Sequence, residues 1–282
     1  MSHGAALTGL TAISGEEALQ RWPEIVAGAR PMVLRGLVRD WPAVRWARQS
    51  PQALCTELVR RDSGAEVDAV LMRPEHRGRL FYADDCCEAF NFVRAPRTLS
   101  QVIEQVLRYA QFASHPAVAV QSALVDQCLP GFVDEHPMPL LEAAVRPRIW
   151  LGNEFVTPAH FDESANIACV VAGRRRFTLL PPEQLGNLYL GPLDFAPTPT
   201  PISRVDFRAP DFERFPRFRQ ALAAAQVAEL EPGDAIYMPP LWWHHVESLA
   251  PLNVLVNYWW ALPEAARAIE AMKQAVAATA QP

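Results

Sequence analysis

The sequence predicts a mainly β fold, a β-barrel-like sandwich, and three observations support this prediction. From Pro147 onward, short strand-like segments alternate with turns, and no long amphipathic helix occurs before about residue 211. The 26 prolines, against 13 glycines, indicate many turns and stiff connections. The 282 residues exceed the usual size of one domain, but all-β barrels with helical additions often reach this length as a single unit. We therefore expect a single domain over residues 1–282, with an N-terminal α/β part over 1–145 and a β core over 146–262.

The N-terminal part begins with short helices and strands. Ser14 and Glu17 form a capping-box pattern, which opens a helix that is expected to end around Pro23. Ser50 and Pro51 supply an N-cap and a first helical residue for a helix through about Arg61. Strands are predicted at 31–36 and 67–72, with turns at 40–42 and 77–79.

The clearest helix of the chain begins at a second capping box, Thr98 to Gln101. Apolar residues follow at helical spacing, namely Leu99, Val102, Ile103, Val106 and Leu107. Residues 117–124 then form a strand candidate that carries Gln121, and residues 127–139, with three prolines and no periodicity, are predicted to be a loop or a short helical connection.

Two helical additions to the β core are predicted. A helical insert is expected at about 207–226, because its end, Ala221 to Ala225, has high helix propensity. A C-terminal helix is expected over 263–282, and one stripe of it carries Ala266, Ile269, Met272 and Val276. This stripe either covers the barrel or pairs with its own copy in a homodimer.

Composition narrows the class of protein. The net charge of −5 and the pI near 5.8 disfavour nucleic acid as a partner. The five cysteines form no C-x-x-C pattern, so neither a disulfide framework nor a zinc knuckle is indicated. The N-terminus lacks the pattern of a secretory signal, and no apolar run is long enough to span a membrane. We expect a cytoplasmic protein without a membrane anchor.

The triplet His160-Phe161-Asp162 is a candidate metal site. In a strand, residues i and i+2 point to the same face, so the imidazole and the carboxylate converge. Two histidines and one carboxylate form the facial triad of non-haem Fe(II) oxygenases. The third ligand is expected from 239–246, where His244 and His245 are adjacent and only one of them can face the same side as His160.

Several motifs, taken together, resemble those of the JmjC-type, cupin-like Fe(II)- and 2-oxoglutarate-dependent oxygenases. They are Thr157 to Glu163, Gly173 to Phe177 with Leu180 to Pro182, Pro232 to Asp234, Trp243 to Ser248, and Asn257 to Trp259. Within these oxygenases the likeness is greatest to the factor-inhibiting-HIF asparaginyl hydroxylase group. The resemblance covers about 25–262 and implies a double-stranded β-helix, the jelly-roll fold of cupins. It also implies His160, Asp162 and His244 as catalytic metal ligands, with Fe(II), 2-oxoglutarate and O2 as cofactor and co-substrates.

The distal carboxylate of 2-oxoglutarate requires a buried cation, for which Arg174, Arg175 and Arg176 are available. The resembling hydroxylases use a lysine two residues after the strand's glycine and a threonine three residues before the first metal histidine. These positions are Arg175 and Thr157. Arginine in place of lysine is a departure, because its longer, planar guanidinium binds a carboxylate differently.

Four further residues are assigned to the site. Asn166 and Asn257 stand in apolar runs, where an unpaired amide is costly, so they are expected to face the site. The resemblance places these two amides by the co-substrate and the iron, Trp259 in the pocket wall, and Gln121 at the target amide. A tyrosine of the hydroxylases is replaced here by Ala119.

The expected activity is hydroxylation of a protein or peptide side chain, with oxidative decarboxylation of 2-oxoglutarate to succinate and CO2. Two alternatives stay open. One is a related oxygenase that acts on a small molecule or a modified nucleoside. The other is a cupin-like binding protein without turnover.

Overall fold

Two β-sheets form the framework of the computed structural model, which describes residues 8–279. The strands are β1 Thr8–Gly9, β2 Ala12–Ser14, β3 Met32–Arg35, β4 Glu66–Met72, β5 Phe92–Thr98, β6 Ala117–Leu124, β7 Pro147–Gly152, β8 Val156–His160, β9 Ala165–Ala172, β10 Arg175–Leu180, β11 Gln226–Leu230, β12 Ala235–Met238, β13 Trp243–Ser248 and β14 Asn253–Trp260. The helices are α1 Gly15–Ala27, α2 Pro42–Gln49, α3 Pro51–Arg61, α4 Leu99–Tyr109, α5 Val125–Cys128, α6 Phe132–Glu135, α7 Phe218–Ala223 and α8 Ala266–Thr279.

From β7 to β14 the chain passes back and forth between the two sheets, except that β10 and β11 are neighbours in the same sheet. The five-stranded sheet has the order β1-β11-β10-β13-β8, and the nine-stranded sheet has the order β2-β3-β12-β9-β14-β7-β6-β4-β5. Apolar side chains from both sheets, such as Phe177 and Val170, meet in one buried cluster between them. This arrangement confirms the predicted double-stranded β-helix, with β7 to β14 as its core.

The N-terminal part lengthens the larger sheet at both ends. Strands β2 and β3 continue it beyond β12, and β6, β4 and β5 continue it beyond β7. Helices α1 to α4 contribute buried apolar side chains to a second cluster on its outer face, where Ile167, Cys169 and Val256 also lie. Residues on both faces of β9 are therefore buried along its whole length. No helix among residues 8–279 has the length and apolar character needed to cross a bilayer.

Several predicted elements are confirmed. Strand β6 spans the predicted residues 117–124, and α3 begins at Pro51 with the Ser50 hydroxyl accepting from the Ala53 N–H at 3.0 Å. At the start of α4 both bonds of the capping box are present, between Thr98 and Gln101. All five cysteines are free.

Two helix predictions were wrong in their limits, and one helix was missed. Helix α1 continues through Pro23 to Ala27, because the proline removes only one helical hydrogen bond while Ile25, further along, is buried. The insert at 207–226 contains only one short helix, α7. Helix α2 begins at Pro42, where only a turn was expected, and burial of Ala43 and Val44 stabilises it without a side-chain cap.

The insert and α8 share a third apolar cluster at one end of the smaller sheet. Met272 and Val276 of α8 are buried there with Phe161, Trp243 and Phe218, and Ile269 packs against them. Ala266, the fourth residue of the predicted stripe, is exposed. Helix α8 thus covers its own domain, and Lys273 pairs with Glu163 at 2.9 Å.

The turn between β9 and β10 depends on Gly173. Its φ is +75°, and a Cβ there would lie 2.5 Å from the Leu252 carbonyl oxygen. We predict that Gly173→Ala lowers the free energy of unfolding by about 3 kcal/mol or more, since left-handed strain and a backbone clash add. Urea unfolding measures this loss. Gly64→Ala is the matched control, with φ +76° but open space around it, and should cost only about 1–2 kcal/mol. Equal losses for the two variants would show that the clash is relieved without cost.

A homodimer through α8 stays a prediction. Because the apolar stripe is used inside the domain, such a dimer would use the neighbouring, alanine-rich face, where Ala268, Ala271 and Ala275 are exposed. Light scattering should then give a dimer mass for the full chain and a monomer mass for Ala271→Glu, which places a charge in the contact. A monomer mass for the unaltered chain would contradict the prediction.

Candidate metal centre

His160, Asp162 and His244 converge at one end of the space between the sheets. Each offers one ligand atom, and these atoms all lie within 4.8 Å of one another. His160 ends β8 and pairs directly with His244 on β13, and their ring centroids are 4.2 Å apart. Asp162 follows just beyond the strand, while Phe161 between them turns away into the cluster with Trp243.

A β-bulge sets the register of this pairing. His244 pairs with His160 and Val246 with Thr157, so two residues of β8, Pro158 and Ala159, lie opposite one residue of β13. Pro158 has no N–H to donate to the ladder, which suits this position. Strict alternation would put Thr157 and His160 on opposite faces, whereas the bulge lets both line the same cavity.

Both triad histidines are oriented by backbone carbonyls. The Nδ1 atom of His160 lies 2.9 Å from the Pro158 carbonyl oxygen, and Nδ1 of His244 lies 3.0 Å from that of Trp242. With Nδ1–H donating to the carbonyl, Nε2 keeps its lone pair, which is the form that binds a metal. Burial, with the neighbouring His244, holds the pKa of His160 well below its usual value, so this ring is neutral near pH 7.

Asp162 is held by residues of β9 and β14. The Trp259 indole N–H donates to Oδ2 of Asp162 at 2.8 Å, and the Asn166 amide donates to the same oxygen at 3.3 Å. Asn257 donates to Asn166 at 3.3 Å and accepts from the Trp150 indole at 2.9 Å. Within residues 8–279, Oδ1 of Asp162 has no hydrogen-bond partner and is free to bind a cation.

His245 lies on the opposite face of β13 from His244. Its ring stacks on Phe207, with centroids 4.7 Å apart, and neither ring nitrogen has a hydrogen-bond partner within the described part of the chain. Burial lowers the pKa of His245 to about 3. Of the two adjacent histidines, the structure brings only His244 to His160 and Asp162.

The triad opens into a cavity of about 1200 Å³ between the two sheets. Arg175 lines it from β10, is only 8% exposed, and has no hydrogen-bond or ion-pair partner among residues 8–279. Burial lowers the pKa of its guanidinium to about 10. Its neighbours point outward, where Arg176 pairs with Glu229 at 2.7 Å and Arg174 lies 3.7 Å from the same carboxylate.

The remaining predicted residues divide between the cavity and its surroundings. Gln121, Asn166, Asn257 and Trp259 line the same cavity as the triad. Ala119, at the position of the missing tyrosine, instead packs in an apolar cluster that includes Phe155 and Leu80.

Sequence reasoning missed two residues on β7, Arg148 and Trp150. Both line the cavity, in keeping with their i, i+2 spacing. The sequence shows this spacing. Only the pairing of β7 with β14 shows that the face carrying these two residues lines the cavity.

The donor set fits the metal and the co-substrate that the sequence suggested. Two neutral imidazoles and one carboxylate match the facial triad of Fe(II). Arg175 is a buried cation without a partner, and a bound anion would relieve this cost. Both features line one cavity, so a single anion that also reaches the metal can satisfy them.

Comparisons with known proteins give the family. The sequence profile described as "Cupin-like domain" matches residues 18–265. Jumonji C domain-containing protein 5 of Drosophila melanogaster is 29% identical over 238 residues, which are 82% of this chain and 54% of that protein. Human HSPB1-associated protein 1 is 37% identical over 247 residues, 85% of this chain and 49% of that protein.

A shorter match is to Lysine-specific demethylase JMJ31 of Arabidopsis thaliana, 34% identical over 112 residues, which are 39% of this chain and 20% of that protein. The chain thus spans about half the length of the first two relatives. Because the family profile extends from α1 to the start of α8 and includes every residue of the triad, the chain belongs to the cupin-like domain family.

Proposed function

We propose that this protein is an Fe(II)- and 2-oxoglutarate-dependent oxygenase that hydroxylates a side chain of a protein or peptide. One observation carries the proposal. The cavity that holds His160, Asp162 and His244 also holds Arg175, a buried cation that no described residue neutralises. A metal triad and an anion site in one cavity are what a chelating keto acid with a distal carboxylate requires.

When bound, iron and 2-oxoglutarate supply the oxidising chemistry: one atom of O2 enters a substrate C–H bond, and the other leaves in succinate as CO2 is released. The residues of this chain hold and orient the reactants. His160, Asp162 and His244 would hold the iron. The carbonyls of Pro158 and Trp242 fix the two imidazoles, and Trp259 fixes the carboxylate.

Arg175 would bind the distal carboxylate of 2-oxoglutarate, with the Thr157 hydroxyl as a second donor. Both side chains line the cavity, and Phe177 and Val246 give that part of the wall an apolar surface. An ion pair in such surroundings is stronger than one in water, because little solvent screens it. The departure from lysine to arginine therefore keeps the charge and adds a planar pair of donors.

A protein or peptide substrate is supported by the opening of the cavity between the sheets and by Gln121 in its wall. The side-chain amide of Gln121 has no hydrogen-bond partner within residues 8–279, so it can bind an amide of the substrate. The resemblance of the site motifs to those of the asparaginyl hydroxylases implies the same role for this glutamine. The net charge of −5 gives no support to a nucleic acid substrate.

The proposal is tested by succinate formation. Protein loaded anaerobically with Fe(II) should form succinate from 2-oxoglutarate once O2 is admitted, and His160→Ala should form none above background. When candidate substrate peptides are included in the reaction, mass spectrometry of the recovered peptides should show an added oxygen. Binding of 2-oxoglutarate without succinate formation, with peptides or without, would instead favour a cupin-like binding protein.

The two adjacent histidines give a matched test of the metal centre. His244→Ala should weaken Mn(II) binding by more than about 100-fold, because it removes a ligand atom, while His245→Ala should stay within about tenfold of the unaltered protein. Titration calorimetry with Mn(II) measures both, and circular dichroism checks that each variant is folded. Normal binding by His244→Ala, or loss only in His245→Ala, would show that the triad is wrongly assigned.

The anchor for the co-substrate can be tested in the metal-loaded protein. Arg175→Ala should raise the dissociation constant of 2-oxoglutarate by about 100-fold or more, since the buried carboxylate loses its partner, and Arg175→Lys should raise it less. Arg176→Ala is the matched control, because that residue pairs with Glu229 outside the cavity.

A second measurement separates this role from a structural one. Without 2-oxoglutarate, Arg175→Met should be at least as stable to heat as the unaltered protein, because it removes a buried, unpaired cation. A large effect on 2-oxoglutarate binding from Arg176→Ala, or from neither arginine, would rule out the anchor.

A further inference from the structure

The charged side chains around the cavity are unevenly paired. Of the acidic residues in its wall, Asp68 pairs with Arg94 and Glu163 with Lys273, while Asp162 belongs to the triad. The rim arginine Arg146 binds Asp126 through two hydrogen bonds, both 2.8 Å long. Two arginines of the wall, Arg148 and Arg175, have no carboxylate partner among residues 8–279.

Arg148 is held in place by the backbone. Its Nη1 donates to the carbonyl oxygen of Ser122 at 2.8 Å, and its Nε and Nη2 have no partner within the described residues. Ser122 has a φ of +52° and lies in the β6 bulge between Val120 and Ala123. A left-handed serine is strained, and such strain is concentrated at functional sites. The bulge thus holds Arg148 through the carbonyl and hydroxyl oxygens of Ser122, which lie 2.8 Å and 3.5 Å from its Nη1, and leaves one edge of its guanidinium free.

Arg148 also lies on the wall that holds the metal ligand. It pairs across β7 and β14 with Asn257, whose neighbour in the hydrogen-bond chain, Asn166, donates to Asp162. Trp150, two residues along the same face of β7, donates to Asn257. A group bound by Arg148 therefore stands beside the residues that orient the metal site.

The balance of charges in the cavity indicates the sign of the group that Arg148 binds. This argument rests on the proposed function. A divalent iron, the Asp162 carboxylate, the Arg175 guanidinium and the dianion of 2-oxoglutarate together carry no net charge. Arg148 is then the one cation of the described cavity wall left without a counter-charge. The free Nε and Nη2 edge of a guanidinium matches the two oxygens of a carboxylate.

We propose that Arg148 binds a carboxylate of the substrate that is hydroxylated, so that the enzyme selects acidic peptides. Gln121 and Ser122 line the cavity beside it, and they supply hydrogen bonds to the neighbouring backbone of the peptide. A substrate whose side chain near the reacting position is cationic would meet an unpaired arginine and bind weakly.

Three pools of degenerate peptides test this selection. All contain the same neutral residues, to which the first adds Asp and Glu, the second Asn and Gln, and the third Lys and Arg. The readout is the stimulation of succinate formation by Fe(II)-loaded protein. The acidic pool should stimulate about tenfold more than the amide pool, because a charge-assisted pair replaces a neutral one.

Substitutions at Arg148 should change the preference among the pools. Arg148→Ala should remove the advantage of the acidic pool, Arg148→Lys should keep part of it, and Arg148→Glu should shift it to the basic pool. Arg146→Ala, which removes the same charge from a rim residue that is already paired, should keep the preference of the unaltered protein. Mn(II) titration confirms that each variant retains a folded site.

The outcomes separate this inference from the proposed function. If the unaltered protein neither binds nor decarboxylates 2-oxoglutarate, the proposed function fails, and the charge balance fails with it. If 2-oxoglutarate is turned over but the pools act equally, or Arg148→Glu keeps the acidic preference, only the role of Arg148 is overturned. If Arg148→Ala loses 100-fold in 2-oxoglutarate affinity and Arg175→Ala does not, then Arg148 is the co-substrate anchor. That result would also overturn the proposed role of Arg148 in substrate binding.

A parallel arm shows how much of the substrate is needed. N-acetyl-aspartate amide and N-acetyl-asparagine amide carry the same groups as the pools but no peptide on either side. Stimulation by the aspartate compound at the level of the acidic pool would assign the site to a small carboxylic acid and overturn the selection of peptides. Stimulation by the pool alone supports a peptide.

Discussion

The hydrogen-bonded pairing of β8 with β13 is the constraint on which the site depends. It brings His160 beside His244, although a long stretch of chain, including the irregular insert, lies between them. The bulge at Pro158 and Ala159 then turns Thr157 to the same side as His160. A shift of one residue in this register would move one histidine to the outer face, because side chains alternate along a strand.

The groups that hold the Asp162 carboxylate in place are indoles and amides, and none of them is charged. Trp150, Asn257 and Asn166 form a chain of hydrogen bonds that ends at Asp162, and Trp259 reaches the same carboxylate directly. Each amide donates to one neighbour in this chain, and Asn257 also accepts from an indole, so their orientation is fixed. Because these neighbours are neutral, they do not compensate the charge of Asp162, which favours a bound cation.

A buried, unpaired charge in the cavity wall lowers the free energy of unfolding of the protein. Arg175 is buried without a counter-charge, and a protein selected for stability alone would carry an apolar residue there. The carbonyl oxygen that binds the Arg148 side chain belongs to Ser122, whose left-handed backbone is strained. An anion bound beside Arg175 would offset the cost of its buried charge, so binding of that anion would also stabilise the folded chain.

The sequence by itself determined most of the elements and the types of the candidate metal ligands. Alternation, capping boxes and propensity located most of the strands and helices, because these signals are local: the Thr98 capping box and the strand at 117–124 needed no tertiary contact. Local signals failed at Pro23, where burial of Ile25 keeps the helix going, and at α2, which packing of Ala43 and Val44 stabilises. Likewise, His160-Phe161-Asp162 indicated two candidate ligands, whereas alternation alone left His244 and His245 equivalent.

Only the tertiary structure decided which residues meet. The register of β13 with β8 separates His244 from His245. Alternation alone puts Arg175 on the other face of its strand from Arg176, and the pairing of β10 with its neighbours decides that Arg175 faces inward and Arg176 outward to Glu229. Arg148 lies beside the candidate metal site only because β7 pairs with β14 and β6. Pairing between strands that are distant in sequence depends on the shape and burial of the whole sandwich, so no local pattern encodes it.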